Sequence, residues 1–341
     1  MLNKPIFILG SHKSGTSLLR SLFDGHSEIF TNPIETHFFD LFGEWVDYDY
    51  RRQKPEEVSI EKVKTLLNKY IRYVEKRDNP MAAFQGKDLF DMDRFNEILS
   101  ELTNESSRQD IIQTYFKATY YSIYGKHLPT DKRIVHKAVG LGEFALELHQ
   151  LFPDAKFVHI IRNPYSNLVS FRKFHSKTTK FPLINRLINS LNNNYFYMYK
   201  NSQLIDNYYV LKYEDLVTQP DKEIGKLCQF LELKPEEALY TPTTIGETWK
   251  GNSTTGKKFK GIENKYLEVW KEEIHPLEVY YVNNNFDHIL RDFEYSHFEK
   301  KGSKLMPIKN EGFIRYLYNR VYVGYNRYYN NKVFAMSNPT N

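Results

Sequence analysis

The segment that most constrains this chain lies near its start. A four-residue apolar run, Ile6 to Leu9, breaks into the turn Gly10-Ser-His-Lys-Ser-Gly-Thr-Ser17, after which Leu18, Leu19, Leu22 and Phe23 fall on one helix face. A buried strand that ends in a glycine turn and feeds a helix is one unit of a parallel α/β sheet, because parallel strands need a crossover connection. In such a turn, backbone N–H groups and the helix dipole point at the strand's end and attract anions. The turn departs from the nucleotide loop GxxxxGK[ST]: Thr16 stands where that pattern has lysine, and Lys13 sits three places earlier.

Three further apolar runs, Ile134 to Val139, Lys156 to Ile161 and Tyr208 to Lys212, each pass into a helical pattern. Leu141, Phe144, Ala145, Leu148 and Leu151 follow the second on one face. Pro164 follows the third at a position where a first helical turn tolerates it. Ile224, Leu227 and Leu231 follow the fourth. Neither His136-Lys137 nor Arg162-Asn163, at two of the strand ends, offers the aspartate that a magnesium-dependent nucleotide enzyme would place there. Between about 40 and 130 the pattern is helical, as in SIEKVKTLLNKYIRYVEK and RQDIIQTYFKATYYSIYG, which predicts an insertion over one edge of the sheet. Residues 241–261, TPTTIGETWKGNSTTGKKFKG, read as a long loop, and two helices are expected around Tyr266 to Ile274 and Leu277 to Leu290.

The predicted architecture is a P-loop-type three-layer α/β fold with a central parallel sheet. It forms one domain over 1–300, with the helical insertion and a basic, Tyr-rich C-terminal extension over 301–341. The 341 residues carry 47 Lys plus Arg against 42 Asp plus Glu, a formal charge of +5 that is too mild for a nucleic-acid binder. The single cysteine, Cys228, has Ile224, Leu227 and Leu231 as helical neighbours and reads as core. No segment reaches the roughly 18 apolar residues of a membrane span, so the expectation is a cytoplasmic protein. Aromatic residues make up 16% of the chain. Many sit in the tail GFIRYLYNRVYVGYNRYYNNKVF, 312–334, which has no acidic residue. Two readings of it compete: a helix docked on its own domain, or a basic aromatic helix lying on an anionic membrane surface.

The loop GSHKSGTSLLRSLFDGHSEI resembles the 5′-phosphosulfate loop of the sulfotransferases that use 3′-phosphoadenosine 5′-phosphosulfate, nearest the tyrosylprotein and bacterial branch. FVHIIRNPYSNLVSF resembles that family's 3′-phosphate motif, with Arg162 at the strand's end and Ser170 eight residues on. LKYEDL, WKGNSTTGKKFKGI with the later Trp270, and IVHKAVGLGEFALELHQLFPDAKF resemble three more of its segments. Together they cover roughly 5–39 and 134–295 and leave the insertion and tail without a counterpart.

The resemblance implies sulfuryl transfer by in-line displacement, with no metal, from that donor to a hydroxyl or amine, leaving adenosine 3′,5′-bisphosphate. It assigns Lys13 and Lys137 to charge stabilisation, and Ser14, Gly15, Thr16 and Ser17 to the 5′-phosphate. Arg162 and Ser170 go to the 3′-phosphate, Tyr213 to the adenine, and Ser253, Lys257 and Lys258 to the closing loop. Glu35, in TNPIETHFF, takes the place of the branch's catalytic glutamate and is the nominated base, with His37 its rival. The expected acceptor is a glycan, glycolipid or small molecule, bound in a pocket to which the insertion contributes. The alternatives are a P-loop kinase or NTPase, and a non-catalytic nucleotide-binding or membrane-surface protein.

Overall fold

Five parallel strands form the central sheet: β1 (Ile6–Leu9), β2 (Ile29–Thr31), β3 (Arg133–Lys137), β4 (Lys156–Ile161) and β5 (Tyr208–Lys212), in the spatial order β2-β3-β1-β4-β5. This is the predicted P-loop-type α/β architecture. In the computed structural model, which describes residues 2–44, 58–75, 89–178, 181–249, 251, 261–322 and 325, β1 is the middle strand and all four of its side chains are fully buried. A strand covered on both faces has no reason to alternate polar and apolar residues, so IFIL reads as an unbroken run.

The sheet has one strand more than the sequence pattern gave. β2 is three residues long and stops at Asn32-Pro33, too short to show a period, and pairs Ile29 with Arg133 and Thr31 with Val135. β3 ends two residues early, at Lys137. The Val139 N–H is taken by the Glu35 carboxylate at 2.7 Å, so the chain leaves the ladder there.

The described chain gathers into two compact units, Met1–Arg162 with Asn194–Tyr266 and Asn163–Asn193 with Leu267–Asn341. The first holds the sheet, α1 (Thr16–Phe23), α2 (Phe38–Leu41), α3 (Ile60–Glu75), α4 (Met92–Leu99), α5 (Arg108–Tyr124) and α6 (Ala145–Leu151). The insertion is helical where it is described. Its longest helix, α5, starts at a Ser107–Asp110 capping box and ends at Gly125 in the left-handed region. Phe30 of β2 meets Tyr120 edge-on at 5.0 Å, and Phe7 of β1 stacks on Phe157 of β4 at 5.6 Å, so part of the aromatic excess is core.

α7 (Pro164–Thr178) and the first half of α8 (Ile184–Leu204) belong to the second unit; α9 (Tyr213–Thr218) and α10 (Pro220–Leu231) belong to the first. Cys228 is buried on α10 beside Ile224, Leu227 and Leu231, as its spacing predicts. The expected loop 241–261 contains a two-stranded hairpin, Thr243–Thr244 with Glu247–Thr248, where it is described. In the second unit, α11 (Trp270–Glu273), α12 (Pro276–Asn285) and α13 (Asp287–Asp292) replace the two predicted helices. Trp270 stacks on Tyr165 at 5.1 Å, and Arg172 makes a two-pronged buried ion pair with Glu278. Among the described residues no helix is long and apolar enough to cross a membrane.

Candidate functional site

Parallel strands deliver their carboxyl ends to one edge, and here each strand ends in a polar or glycine-rich segment. β1 runs into Gly10, β2 leads to Glu35, β3 ends on Lys137, β4 is followed by Arg162 and β5 by Tyr213. The registers align them: Ile8 pairs with Lys137, Leu9 with His159, and Ile161 with Lys212. Residues scattered over two hundred positions of sequence therefore converge at one end of the sheet.

The β1–α1 loop has a conformation only its own residues permit. Gly10 and Gly15 have φ of 147° and 113°, and Lys13 sits at 64°. A Cβ on Gly10 would lie 2.6 Å from the Ile160 carbonyl oxygen, and one on Gly15 would lie 2.5 Å from Cδ2 of Tyr213. The Ser14 hydroxyl donates to the Ser11 carbonyl at 2.9 Å, closing the turn from inside. Arg162 donates from Nη1 to the Lys13 carbonyl at 3.1 Å and lies over the Tyr213 ring at 4.7 Å. Loop, arginine and tyrosine thus form one stack. Gly15→Ala is expected to strain it by roughly 1–3 kcal/mol, read as a lowered Tm. Unchanged thermal stability would count against that packing.

Beside the loop, Lys137 and Glu35 form a buried ion pair, Nζ to Oε2 at 2.6 Å, with both side chains about 5–6% exposed. Glu35 Oε1 accepts from the Val139 N–H, and Tyr70 of α3 donates to the Glu35 backbone carbonyl, so the insertion braces this residue. Burial alone would raise the Glu35 pKa, but the Lys137 ammonium, His37 and the two hydrogen bonds hold it down at about 2. The carboxylate is ionised at neutral pH and both its oxygens are engaged. Burial works against the Lys137 ammonium more than Glu35 works for it, and Arg20 adds repulsion.

Arg20 is the residue that sequence reasoning missed. It is buried on α1, donates to the Pro33 carbonyl at 2.9 Å and contributes positive potential near Glu35 and Lys137. An arginine on a helix whose Leu18, Leu19, Leu22 and Phe23 are all buried was the available signal.

A cavity of about 510 Å³ lies at this edge, with Phe39, Leu141 and Phe144 among its walls and His12, His37 and Glu143 among its polar groups. Phe39 and Phe144 stack at 4.2 Å. His12 belongs to the glycine loop, so loop and cavity are continuous. His37 lines the cavity, whereas Glu35 is buried outside that lining and accepts from the Val139 N–H. Among the described residues the lining is His12, residues 37–40, 139–141, Glu143 and Phe144, whereas α3 to α5 contribute apolar side chains to the core packed on the sheet.

Thr16 is buried, and Lys13 and Ser17 are half-buried in the loop. Ser170 lies two turns into α7, half-buried, in the second unit. Ser253, Lys257 and Lys258 lie outside the described residues. His136 and His159 are fully buried in β3 and β4. Among the described residues no three His, Cys, Asp or Glu side chains gather as a metal-binding set.

Residues 5–237 match the model of a family described as the sulfotransferase family. The chain belongs to that family. Over 261 residues it is 22% identical to omega-hydroxy-beta-dihydromenaquinone-9 sulfotransferase Stf3 of Mycobacterium bovis, an alignment covering 67% of this chain and 63% of that relative's length. The chain thus spans less than two thirds of the curated relative. Among solved structures, the sulfotransferase domain from the curacin biosynthetic pathway superposes with a TM-score of 0.58 at 20% identity, covering 87% of this chain and 99% of that one. The sulfotransferase domain of the Synechococcus PCC 7002 olefin synthase gives 0.50 at 18%, covering 86% and 96%. The fold of this sulfotransferase-family chain is that of these domains.

Proposed function

We propose that this chain is an enzyme that transfers a sulfuryl group from 3′-phosphoadenosine 5′-phosphosulfate to the hydroxyl of a largely apolar small molecule or lipid-like acceptor. The observation that carries the reading is the convergence of the glycine loop, the Lys137–Glu35 pair and the Arg162–Tyr213 stack at one sheet edge. These residues fit an adenosine bisphosphate. Arg162 has a buried Nε with no partner among the described residues, and the glycine loop leads into the amino end of α1, where a helix dipole attracts anions.

In this reading Lys13, Ser14, Gly15, Thr16 and Ser17 hold the 5′-phosphosulfate, and Arg162 holds the 3′-phosphate. Tyr213 packs against the adenine side. The donor supplies the sulfuryl group; the chain supplies position and charge. Lys137 has two anions to serve once the donor is in place. Charge it turns toward the leaving phosphate is withdrawn from Glu35, whose pKa then climbs from about 2 toward the range of a useful base. The walls formed by Phe39, Leu141 and Phe144 favour an apolar acceptor body with its hydroxyl near the loop. A second reading has His37 as the base, favoured by its place on the cavity wall.

The test needs no acceptor. Adenosine 3′,5′-bisphosphate at 100 times its dissociation constant should add about 2.7 kcal/mol of stability, seen as a rise in Tm that Arg162→Ala abolishes. A rise with ATP and magnesium alone would overturn the reading in favour of a kinase.

A further inference from the structure

Among the described residues, twelve large apolar side chains are exposed, and eight of them lie between Leu305 and Tyr325. Ile314 is 79% exposed, Phe313 74% and Val321 72%, values expected of charged residues rather than of these. They are ordered along a helix, residues 313–322. Phe313, Ile314, Leu317, Tyr318 and Val321 recur at the one-, three- and four-residue steps that make a single stripe, and exposed Tyr325 continues the same spacing.

The opposite side of this helix is fastened to the second unit. Asn319 is fully buried, its Oδ1 accepting from the Ile184 N–H at 3.0 Å and its Nδ2 donating to Glu311 at 2.6 Å. Arg320 pairs with Glu311, with side chains 9% and 0% exposed, and Tyr322 stacks on Tyr281. The helix is therefore docked by its polar side and turns its apolar side outward. Satisfying Asn319 and Arg320 fixes that orientation, since rotating the stripe inward would break both sets of hydrogen bonds.

We propose that this stripe is the surface by which the protein lies on an anionic lipid bilayer. The charge around it selects that partner. Between residues 296 and 325 there are six basic residues, Lys300, Lys301, Lys304, Lys309, Arg315 and Arg320, against two acidic ones. Glu311, one of the two, pairs with the buried Arg320, so those two charges cancel and five basic residues remain against Glu299 alone. An apolar stripe with a basic rim complements anionic headgroups over acyl chains, and tyrosines suit the boundary between them. A second copy of the chain would instead set one basic rim against another. The inference goes beyond the catalytic reading and is tested without turnover.

The full chain is mixed with phosphatidylcholine vesicles containing about one third phosphatidylglycerol, and with phosphatidylcholine alone, and bound protein is measured by flotation. Binding to the anionic vesicles is expected, weakened by high salt and by the neutral lipid. Ile314→Glu with Val321→Glu should reduce it at least about tenfold, and Lys301→Glu with Lys309→Glu several-fold, each with unchanged Tm because the positions are exposed. No flotation of the wild-type chain, or equal flotation of the Ile314/Val321 variant, would overturn the proposal. So would a concentration-dependent dimer in light scattering, dissolved by that variant and unaccompanied by vesicle binding.

Discussion

Replacing Glu35 with glutamine is expected to lower turnover by roughly 10²- to 10⁴-fold while changing affinity for adenosine 3′,5′-bisphosphate little. Glutamine keeps the shape and can still accept from the Val139 N–H, so the fold around β3 is preserved. It cannot take a proton from an acceptor hydroxyl. The variant also leaves Lys137 buried without its counter-charge, and the ammonium is then pushed further toward neutrality. That second effect would slow the reaction even if Glu35 never touched the acceptor, so the experiment carries two companions. Lys137→Met removes the ammonium and leaves Glu35 in place, and His37→Asn removes the rival on the cavity wall. If Glu35 is the base, His37→Asn retains most activity. If the Glu35 variant turns over normally and His37→Asn does not, the role passes to His37. If both turn over normally, neither residue is the base.

Acidification from pH 7 to pH 5 is expected to cost roughly 4 kcal/mol of folding stability, about 2 from each of two buried histidines. Burial pushes His136 down to about 3 against the pull of its bond to the Thr36 carbonyl, and His159 down to about 3 against the opposing pull of the Asn194 side chain. The surroundings of His136 explain the direction. Asn32 donates to its Nδ1 at 2.9 Å while its Nε2 donates to Thr36 at 3.0 Å, so both nitrogens are satisfied only in the neutral ring. The unfolded chain takes up these protons near an ordinary 6.5; the folded chain does not until about 3. Stability is whole above the unfolded value and falls as pH descends between the two, by about 1.4 kcal/mol per unit for each histidine. Urea midpoints across pH 4.5 to 7 would measure this, and His136→Gln should remove about half of the slope whatever its effect at neutral pH. Parallel slopes for variant and wild type would refute it.

What the sequence makes legible follows from how each feature is held. The loop from Gly10 to Ser17 can be read because its geometry requires particular residues: two glycines at positive φ leave little choice. Three of the four expected strands appear with their predicted bounds because burial on both faces turns them into apolar runs. β2 escapes because three residues carry no period and its pairing with β3 is a tertiary event. Within the site, the strand ends that carry Lys137 and Arg162 can be read, but their roles come from the family resemblance and their company is not legible. Nothing local to TNPIETHFF says that Glu35 meets a lysine 102 residues away, or that Tyr70 braces it. Arg20 leaves only a faint trace, an arginine among the apolar residues of α1, since one arginine in a helix ordinarily points at water. The outward stripe of the C-terminal helix is half legible: its composition shows in the sequence, but which side is fastened depends on Asn319 and Glu311 meeting.

The pairing of β2 with β3 has a consequence for how such a chain can diversify. Ile29 and Arg133 are neighbours in the sheet, so whatever lies between them is a loop whose two ends are already clamped together. The entropy of closing a loop grows only with the logarithm of its length, about 0.6 kcal/mol for each doubling. Helices can be added, lost or exchanged across that gap at small thermodynamic cost, provided one group remains to do what Tyr70 does at Glu35. The same topology that gathers the charges at the sheet edge leaves the length and helix content of this segment open to replacement, while the residues at its two ends stay where the sheet holds them.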